Sequence, residues 1–305
     1  MIRRVEASGL EALALVTELA HRARLADPTA GLWEAADFQW WWRMPRPSDE
    51  VAQTFWLDAD GPVAGVLLTT WREAWGLDPM VVPGSGAPSA PPLAEIVGVG
   101  VERADGLGIE RIETQVRDDD EAMAEVLASR GFAASDDHGG VTWMDASRRL
   151  PAPPVPPGFE LADRSEAGDT PHPMERRNGA EVGPRLRQVP LYDPALDLAI
   201  RVAGSGEAGG HGEAAGYALF WFDPGTKVGM LEPMRVEDAW QRRGLARTLL
   251  LHGLARLADR GATRFKVSYE TEPARALYTG AGFEIEMTDT AWVRDRGGGG
   301  VTTDG

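Results

Sequence analysis

The chain repeats itself, and this limits its possible folds more than any other property of the sequence. Ala281-Gly282-Phe283 has a counterpart in Arg130-Gly131-Phe132, an offset of 151 positions. Applied without gaps, the same offset lays KVSYETEPARALYTGAGF (266–283) on QVRDDDEAMAEVLASRGF (115–132), and GLARTLLLHGLARLADR (244–260) on LAEIVGVGVERADGLGI (93–109). Two copies of one supersecondary pattern are the simplest account. The 305 residues suit two domains of roughly 150 residues each. Between them lies LPAPPVPPG (150–158), with prolines at 151, 153, 154, 156 and 157. Such a run can neither continue a helix nor enter a central strand, so it reads as an extended connector. The expected division is therefore a first domain over 1–149, a linker over 150–158, a second domain over 159–296 and a flexible tail over 297–305.

The second copy has the clearer pattern. FELAD (159–163), DLAIRV (197–202), GYALFWF (216–222) and GMLEPMRV (229–236) read as strands, with a polar, partly helical stretch before residue 190. In 244–260, Leu245, Leu249, Leu250, Leu254 and Leu257 recur at helical spacing. TRFKVSY (263–269) then alternates as a strand, PARALYTG (273–280) is a short helix, and FEIEMTDTAWVR (283–294) gives one or two closing strands. An antiparallel meander followed by strand, helix, strand, helix, strand predicts a mixed α/β sheet in each copy.

Charge and composition exclude several classes. Lys plus Arg is 31 and Asp plus Glu is 47, a formal net charge of −16, and such a surface repels phosphate backbones. No nucleic-acid partner is expected. There is no cysteine, which excludes disulfides, thiolate zinc sites and a cysteine nucleophile and fits a reducing compartment. The five histidines (21, 138, 172, 211, 252) show no metal-ligand spacing, so no metal is expected. MIRRVEASGL lacks the apolar core of a signal peptide and no run approaches the length of a membrane span, so the expectation is a cytoplasmic, non-membrane protein. Gly204-Ser-Gly206-Glu-Ala-Gly209 matches a dinucleotide fingerprint, but a strand follows it rather than a helix, so it reads as a hairpin loop. Pro-Gly-Ser-Gly (83–86) is a weak alternative anion nest. Eight of the eleven tryptophans lie in the first half, including Trp40-Trp41-Trp42. Three consecutive helical residues cannot all face one core, so at least one should meet the other domain or a ligand.

The segment with the most chemistry is Gln241-Arg242-Arg243-Gly244-Leu245-Ala246-Arg247, between a strand ending at Val236 and a helix starting near Gly244. A helix N-terminus offers unpaired N–H groups and the positive end of the macrodipole. Gly244 and Ala246 let an anion approach the backbone, and Arg242, Arg243 and Arg247 add positive charge; a diphosphate is the natural occupant. Gln241-x-x-Gly244-x-Ala246 on strand–loop–helix, followed in order by Ala274-x-x-Leu277-Tyr278 and Gly282-Phe283, resembles the two-part acetyl-CoA signature of the GNAT family of N-acetyltransferases. The resemblance covers 159–295 directly and 1–146 through the repeat. It implies two tandem GNAT-like domains, each a mixed, mostly antiparallel sheet flanked by helices. It also implies acetyl-CoA as acyl-donor cosubstrate and transfer of acetyl to a primary amine of a small molecule or peptide.

Carried over residue by residue, the resemblance has the backbone around Met234, Arg235 and Val236 hold the pantetheine and polarise the thioester carbonyl. Gln241 to Arg247 hold the diphosphate, and Tyr278 protonates the departing thiolate. Thr271 stands where many members have Asn, an amide contact near the cofactor. Glu232 is the candidate base; strict alternation puts Glu232, Met234 and Val236 on one face, and an exposed strand carboxylate is the equally weighted alternative. The offset sets Ala90, Pro91, Pro92, Leu93 and Glu95 on Gln241, Arg242, Arg243, Gly244 and Ala246, Leu127 on Tyr278 and Val81 on Glu232. The first copy should therefore bind no CoA there, because proline donates no N–H and Glu95 repels phosphate. Among tandem members the layout is similar to the mycothiol synthases, which acetylate an amino-sugar–cysteine conjugate. A non-catalytic CoA-binding or scaffold protein is the alternative from another class. The oligomeric state is not legible.

Overall fold

A computed structural model describes residues 2–29, 31–71, 74–84, 90–166, 170–204 and 212–296. The tail at 297–305, most of the glycine-rich hairpin loop, and Ser85-Gly86 of the weak nest lie outside the described residues. The first half of the chain runs β1 (Arg3–Ala7), α1 (Gly9–Ala26), α2 (Ala35–Trp41), β2 (Gln53–Leu57), β3 (Pro62–Trp71), β4 (Ala74–Val81), α3 (Leu93–Gly106), β5 (Arg111–Arg117), α4 (Glu121–Ser129) and β6 (Ala133–Asp145). The second half runs β7 (Phe159–Asp163), α5 (Glu175–Asn178), α6 (Val182–Leu186), β8 (Asp197–Val202), β9 (Ala214–Asp223), β10 (Val228–Val236), α7 (Leu245–Asp259), β11 (Arg264–Tyr269), α8 (Glu272–Thr279) and β12 (Glu284–Asp295). Each half is a mixed, mostly antiparallel sheet flanked by helices.

The compact units do not follow the proline-rich boundary. One comprises 1–35, 46–139 and the chain from Met287 onward; the other comprises Ala36–Pro45 and Gly140–Glu286. Each unit thus takes its last strand from the other half of the sequence. In the first unit the strands run β1-β2-β3-β4-β5-β12, and β12 pairs antiparallel with β5 through Asp289↔Arg117 to Asp295↔Arg111. In the second they run β6-β11-β10-β9-β8-β7, and the end of β6 pairs with β11 through Gly140↔Tyr269 to Asp145↔Arg264. The second unit also takes most of α2 from the first half. Periodicity reports where strands are and not which neighbour each one chooses, so a continuous division is what the sequence suggests.

In the second unit Leu245, Leu249, Leu250, Leu254 and Leu257 all point into the core beside Phe220, Leu231, Phe265 and Val267. Each buried leucine contributes roughly 2 kcal/mol of apolar transfer. Gly253 lets α7 lie flat on the sheet: a Cβ there would sit 2.0 Å from Phe220 Cζ. In the first unit α3 packs its own stripe, Ile96, Val97, Val101 and Ala104, against Val66, Leu68 and Leu77.

Observed registers correct the ungapped repeat. β3 and β9 are both ten-residue strands, offset by 152. Asp78 pairs with Leu67, and the counterpart of Leu67 is Leu219, which the bulge containing Glu232 faces. The structural counterpart of Glu232 is therefore Asp78 rather than Val81, and that of the α7 cap Gly244 is the α3 cap Pro92 rather than Leu93. Leu127 does correspond to Tyr278, both being buried core residues of their short helices. Small differences in loop length accumulate upstream of the helices and shift the ungapped alignment by one to three positions.

Candidate active site

Two irregularities in β10 make the site. Its parallel pairing with β11 is confined to Val228↔Arg264, Gly229↔Phe265 and Met230↔Lys266, so beyond Met230 the two strands splay. On the other side, the ladder with β9 slips between Leu231 and Met234, where Glu232 and Pro233 oppose Leu219 alone. Proline supplies no N–H for the ladder and sits readily at such a bulge; the Glu232–Pro233 peptide is cis. The extra residue breaks the expected alternation. Met234 and Val236 face the α7 core with Leu231, whereas Glu232 turns to the groups of α2 and β11 described below. The expectation of one shared face for Glu232, Met234 and Val236 is thus corrected.

The strand leads into a turn whose backbone is set by two residues with positive φ. Arg242 has φ 63° and Gly244, capping α7, has φ 80°. A Cβ on Gly244 would meet nothing within 4 Å, so the space in front of the helix is open. No side chain caps α7 and its first turn holds no acidic residue, whereas α4 and α8 are capped by Asp120 and Thr271. The leading N–H groups are thus left for an external acceptor, the arrangement that favours an anion. Gln241, Arg242, Arg243 and Arg247 are exposed around it, Ala246 is half-buried and Leu245 anchors the turn in the core. Gln241 Nε2 donates to Val236 O (3.3 Å) and Asp238 Oδ1 (3.1 Å), Arg243 lies over the Trp240 ring (5.0 Å), and Arg247 donates to Gly280 O (3.1 Å). Arg235 is held by Asp238 (3.3 Å) and turns away from the α7 face. These residues fit a diphosphate.

Polar groups collect at the splay. Glu232 is only partly accessible, and burial, followed by the Asp37 carboxylate, pushes its pKa up to about 8; Arg43 opposes the rise and Glu270 adds to it. Lys266 on β11 is 1% exposed and its Nζ is 3.4 Å from Asp37 Oδ2. Arg43 is stacked 3.9 Å over the Trp40 ring and donates to Asn178 Oδ1 (2.6 Å) and Trp40 O (3.1 Å). The Trp40 indole lies close enough to the Glu232 carboxyl to lower its pKa, though without a hydrogen bond of ordinary geometry. Tyr278, 7% exposed, has its pKa raised by burial and by the Glu232 charge, and its ring packs on Phe283 (6.2 Å). It is therefore a core aromatic and a neighbour of Glu232 at once.

Sequence reasoning brought out Glu232, Tyr278 and the turn, and these lie around one splay. Thr271 is not simply aimed at a ligand: its Oγ1 accepts the Ala274 N–H (3.4 Å) as the cap of α8. Asp37, Arg43, Lys266 and Glu270 were missed. The tryptophan triplet was the available signal, since Trp40 borders Glu232 and Trp42 Nε1 donates to Gln188 Oε1 (2.8 Å). In the first unit, Asp78 occupies the place of Glu232, buried, accepting from Thr69 Oγ1 (2.8 Å) and raised by desolvation to about 6.

In this mixed sheet, a splayed and bulged strand runs into an open, uncapped helix N-terminus, which places an anion-receptive turn beside a polar cleft. Residues 188–283 match the model of the acetyltransferase (GNAT) family. Mycothiol acetyltransferase of Thermobifida fusca is 32% identical over 131 residues, 40% of this chain and 39% of that protein. The chain thus spans well under two thirds of that relative's length. Among solved structures, a tandem GNAT protein from the clavulanic acid biosynthesis pathway matches with TM-score 0.67 and 17% identity over 98% of this chain and 100% of that one. A GCN5-related N-acetyltransferase from Sphaerobacter thermophilus matches with TM-score 0.62 and 18% identity over 96% and 95%. At these identities the two structures establish the shared fold. No helix among the described residues is long and apolar enough to cross a membrane, and no cluster of metal-ligating side chains occurs among them.

Proposed function

We propose that the second unit transfers an acetyl group from acetyl-CoA to a primary amine. The observation that carries this reading is the uncapped turn Gln241–Arg247 placed directly after a strand that splays beside Glu232 and Tyr278. The turn's N–H groups and arginines would hold the diphosphate, and Met234, Arg235 and Val236 would line the pantetheine. Past Met230 the edge of β10 that faces β11 has left its ladder, so a backbone N–H there can polarise a thioester carbonyl. Glu232 takes a proton from the incoming ammonium, and the neutral nitrogen attacks the carbonyl carbon. As the C–N bond forms and the C–S bond breaks, Tyr278 gives its proton to sulfur. The nitrogen's second proton leaves through solvent and restores the phenol, and Glu232 releases its own to solvent. A phenol held above its ordinary pKa stays loaded at neutral pH, as a proton donor must.

A second reading, favoured by the similarity to mycothiol acetyltransferase of Thermobifida fusca, takes the acceptor to be the amino-sugar–cysteine conjugate of mycothiol synthesis. A non-catalytic CoA-binding protein is separated from both by turnover. Acetyl-CoA is expected to raise the melting temperature and Gly244→Glu to abolish the rise, with thiol release in the presence of an amine panel. No rise at saturating acetyl-CoA overturns the cosubstrate assignment; a rise without thiol release for any amine overturns the enzyme and leaves the binder.

A further inference from the structure

A base can act only if its side chain is held where the amine arrives, and Glu232 lacks the usual means of being held. A strand residue is ordinarily fixed by ladder hydrogen bonds to its neighbours. Among the described residues Glu232 is paired in neither ladder: the register with β11 ends at Met230, and that with β9 skips from Leu231 to Met234. A side chain takes over. Trp221, on β9 opposite Met230, is fully buried, and its Nε1 donates to the Glu232 carbonyl oxygen at 2.7 Å. A carbonyl that has left its ladder needs such a donor. The indole is braced in turn. Tyr192 meets it edge-on, with ring centroids 6.5 Å apart, and the Tyr192 hydroxyl donates to Asp197 Oδ2 (2.8 Å). The same oxygen lies 2.7 Å from His172 Nε2; His172 Nδ1 accepts the Met174 N–H (3.2 Å), so Nε2 carries the proton and donates. Asp197 pairs with Leu219, the residue that faces the bulge from β9. Side chains from 172–197 therefore converge, through one buried indole, on the point where β10 breaks step.

We infer that Trp221 is a positioning residue: its indole N–H fixes the Glu232 backbone so that the carboxyl meets the incoming amine, and Tyr192 and Asp197 hold the indole to that task. This role rests on the acetyl-transfer reading above. Neither Trp221 nor Tyr192 titrates with the base. An indole N–H is a donor only, and burial together with the Asp197 charge raises the Tyr192 phenol above its ordinary pKa. With the donor taken away, the Glu232 carbonyl turns toward water. Hydration then reaches the carboxyl, and burial, the first cause of its raised pKa, weakens. The carboxyl then behaves more as an ordinary carboxylate and no longer meets the amine at a fixed distance.

The test removes the donor and keeps the shape: Trp221→benzothienylalanine, in which sulfur replaces the indole N–H, with Trp221→Phe and Tyr192→Phe as companions. Asp37, Arg43, Glu270 and Tyr278, the charged and titratable groups that act on Glu232 or answer to it, stay in place in every variant. Leu254→Ala, a core truncation on α7, controls for loss of stability alone. One readout on the full chain is the pH profile of kcat/KM for an amine. The other is the change that Glu232→Gln makes to urea-unfolding stability between about pH 5 and 9. In the benzothienylalanine variant the acid limb is expected to move down by about half a pH unit or more, and the pH-dependent stability difference to shrink. Its kcat falls about tenfold, the scale of one donor lost from a buried acceptor, while KM for acetyl-CoA holds. Trp221→Phe follows it, Tyr192→Phe moves both readouts less, and Leu254→Ala moves neither. A stability difference that stays put, or that Leu254→Ala moves as far, overturns the positioning role, as does an unmoved limb in an active enzyme. If no amine is turned over, the acetyl-transfer reading falls and the stability difference alone judges Trp221.

Discussion

Replacing Glu232 with glutamine removes a carboxyl that the fold holds largely protonated at neutral pH. Its pKa rises from 4.5 to about 8, first through burial and then through Asp37. At 1.36 kcal/mol per pKa unit, that difference corresponds to roughly 5 kcal/mol favouring the protonated form in the folded state. The sign follows from linkage. A group whose folded pKa is raised contributes its stability fully below about 4.5 and loses it as pH climbs through about 8. Wild type should therefore lose stability relative to the E232Q variant between about pH 5 and pH 9. Roughly 5 kcal/mol is the ceiling, and a change of about 2 kcal/mol or more is expected because a partly accessible carboxyl is partly hydrated. Urea unfolding of both proteins at about pH 5, 7 and 9 measures it. The activity should titrate with the same group: kcat/KM for a cationic amine rises toward pH 8 in wild type, and the E232Q variant loses that limb. A stability difference constant across this range would show that Glu232 ionises as an ordinary surface carboxylate. The base assignment and the electrostatic account of the splay would then fail together.

Tyr278→Phe should lower kcat by about 100-fold, the scale of a lost general acid, while changing stability little, because the ring's packing on Phe283 survives; wild-type kcat in that variant removes the phenol from the reaction. Gly253→Ala places a Cβ 2.0 Å from Phe220 and should cost about 1–3 kcal/mol or more, read as a lower melting temperature. The fragment 150–296 lacks both β6, the antiparallel partner of β11, and the segment Ala36–Pro45. It should show no cooperative thermal transition, whereas the full chain does; a sharp transition in the fragment contradicts the unit assignment.

What the sequence disclosed depended on whether the signal was local. The strand Phe159–Asp163 and the helix Leu245–Asp259 are visible because alternation and a leucine stripe are written within each element. The turn Gln241–Arg247 is visible because its arginines and glycine lie in seven consecutive residues. Asp37 is invisible for the opposite reason: it reaches Lys266 across 229 positions, and only the choice of unit for α2 makes the pair. The face of Glu232 was misjudged because a bulge adds one residue, and with a side-chain period of two, one residue inverts every face after it.

That same bulge separates the two halves physically. β4 pairs with β3 without interruption from Trp71↔Ala74 to Ala64↔Val81, so Asp78 stays locked beside Thr69 inside an intact ladder. β10 breaks step at Leu231–Met234, and the strand beyond it is rotated so that Met234 and Val236 seat against α7 while Glu232 is left among the charges of the splay. Downstream, the first half enters its helix from Pro92, which donates no N–H, and the second enters from an open Gly244. Both halves therefore keep a carboxylate at the same point of the sheet, but only the second opens the strand around it and enters the next helix from a glycine, with no acidic residue in the first turn where the first half has Glu95. Residue identity at position 78 or 232 alone would not separate the two copies; the ladder and the residues that open the next helix do.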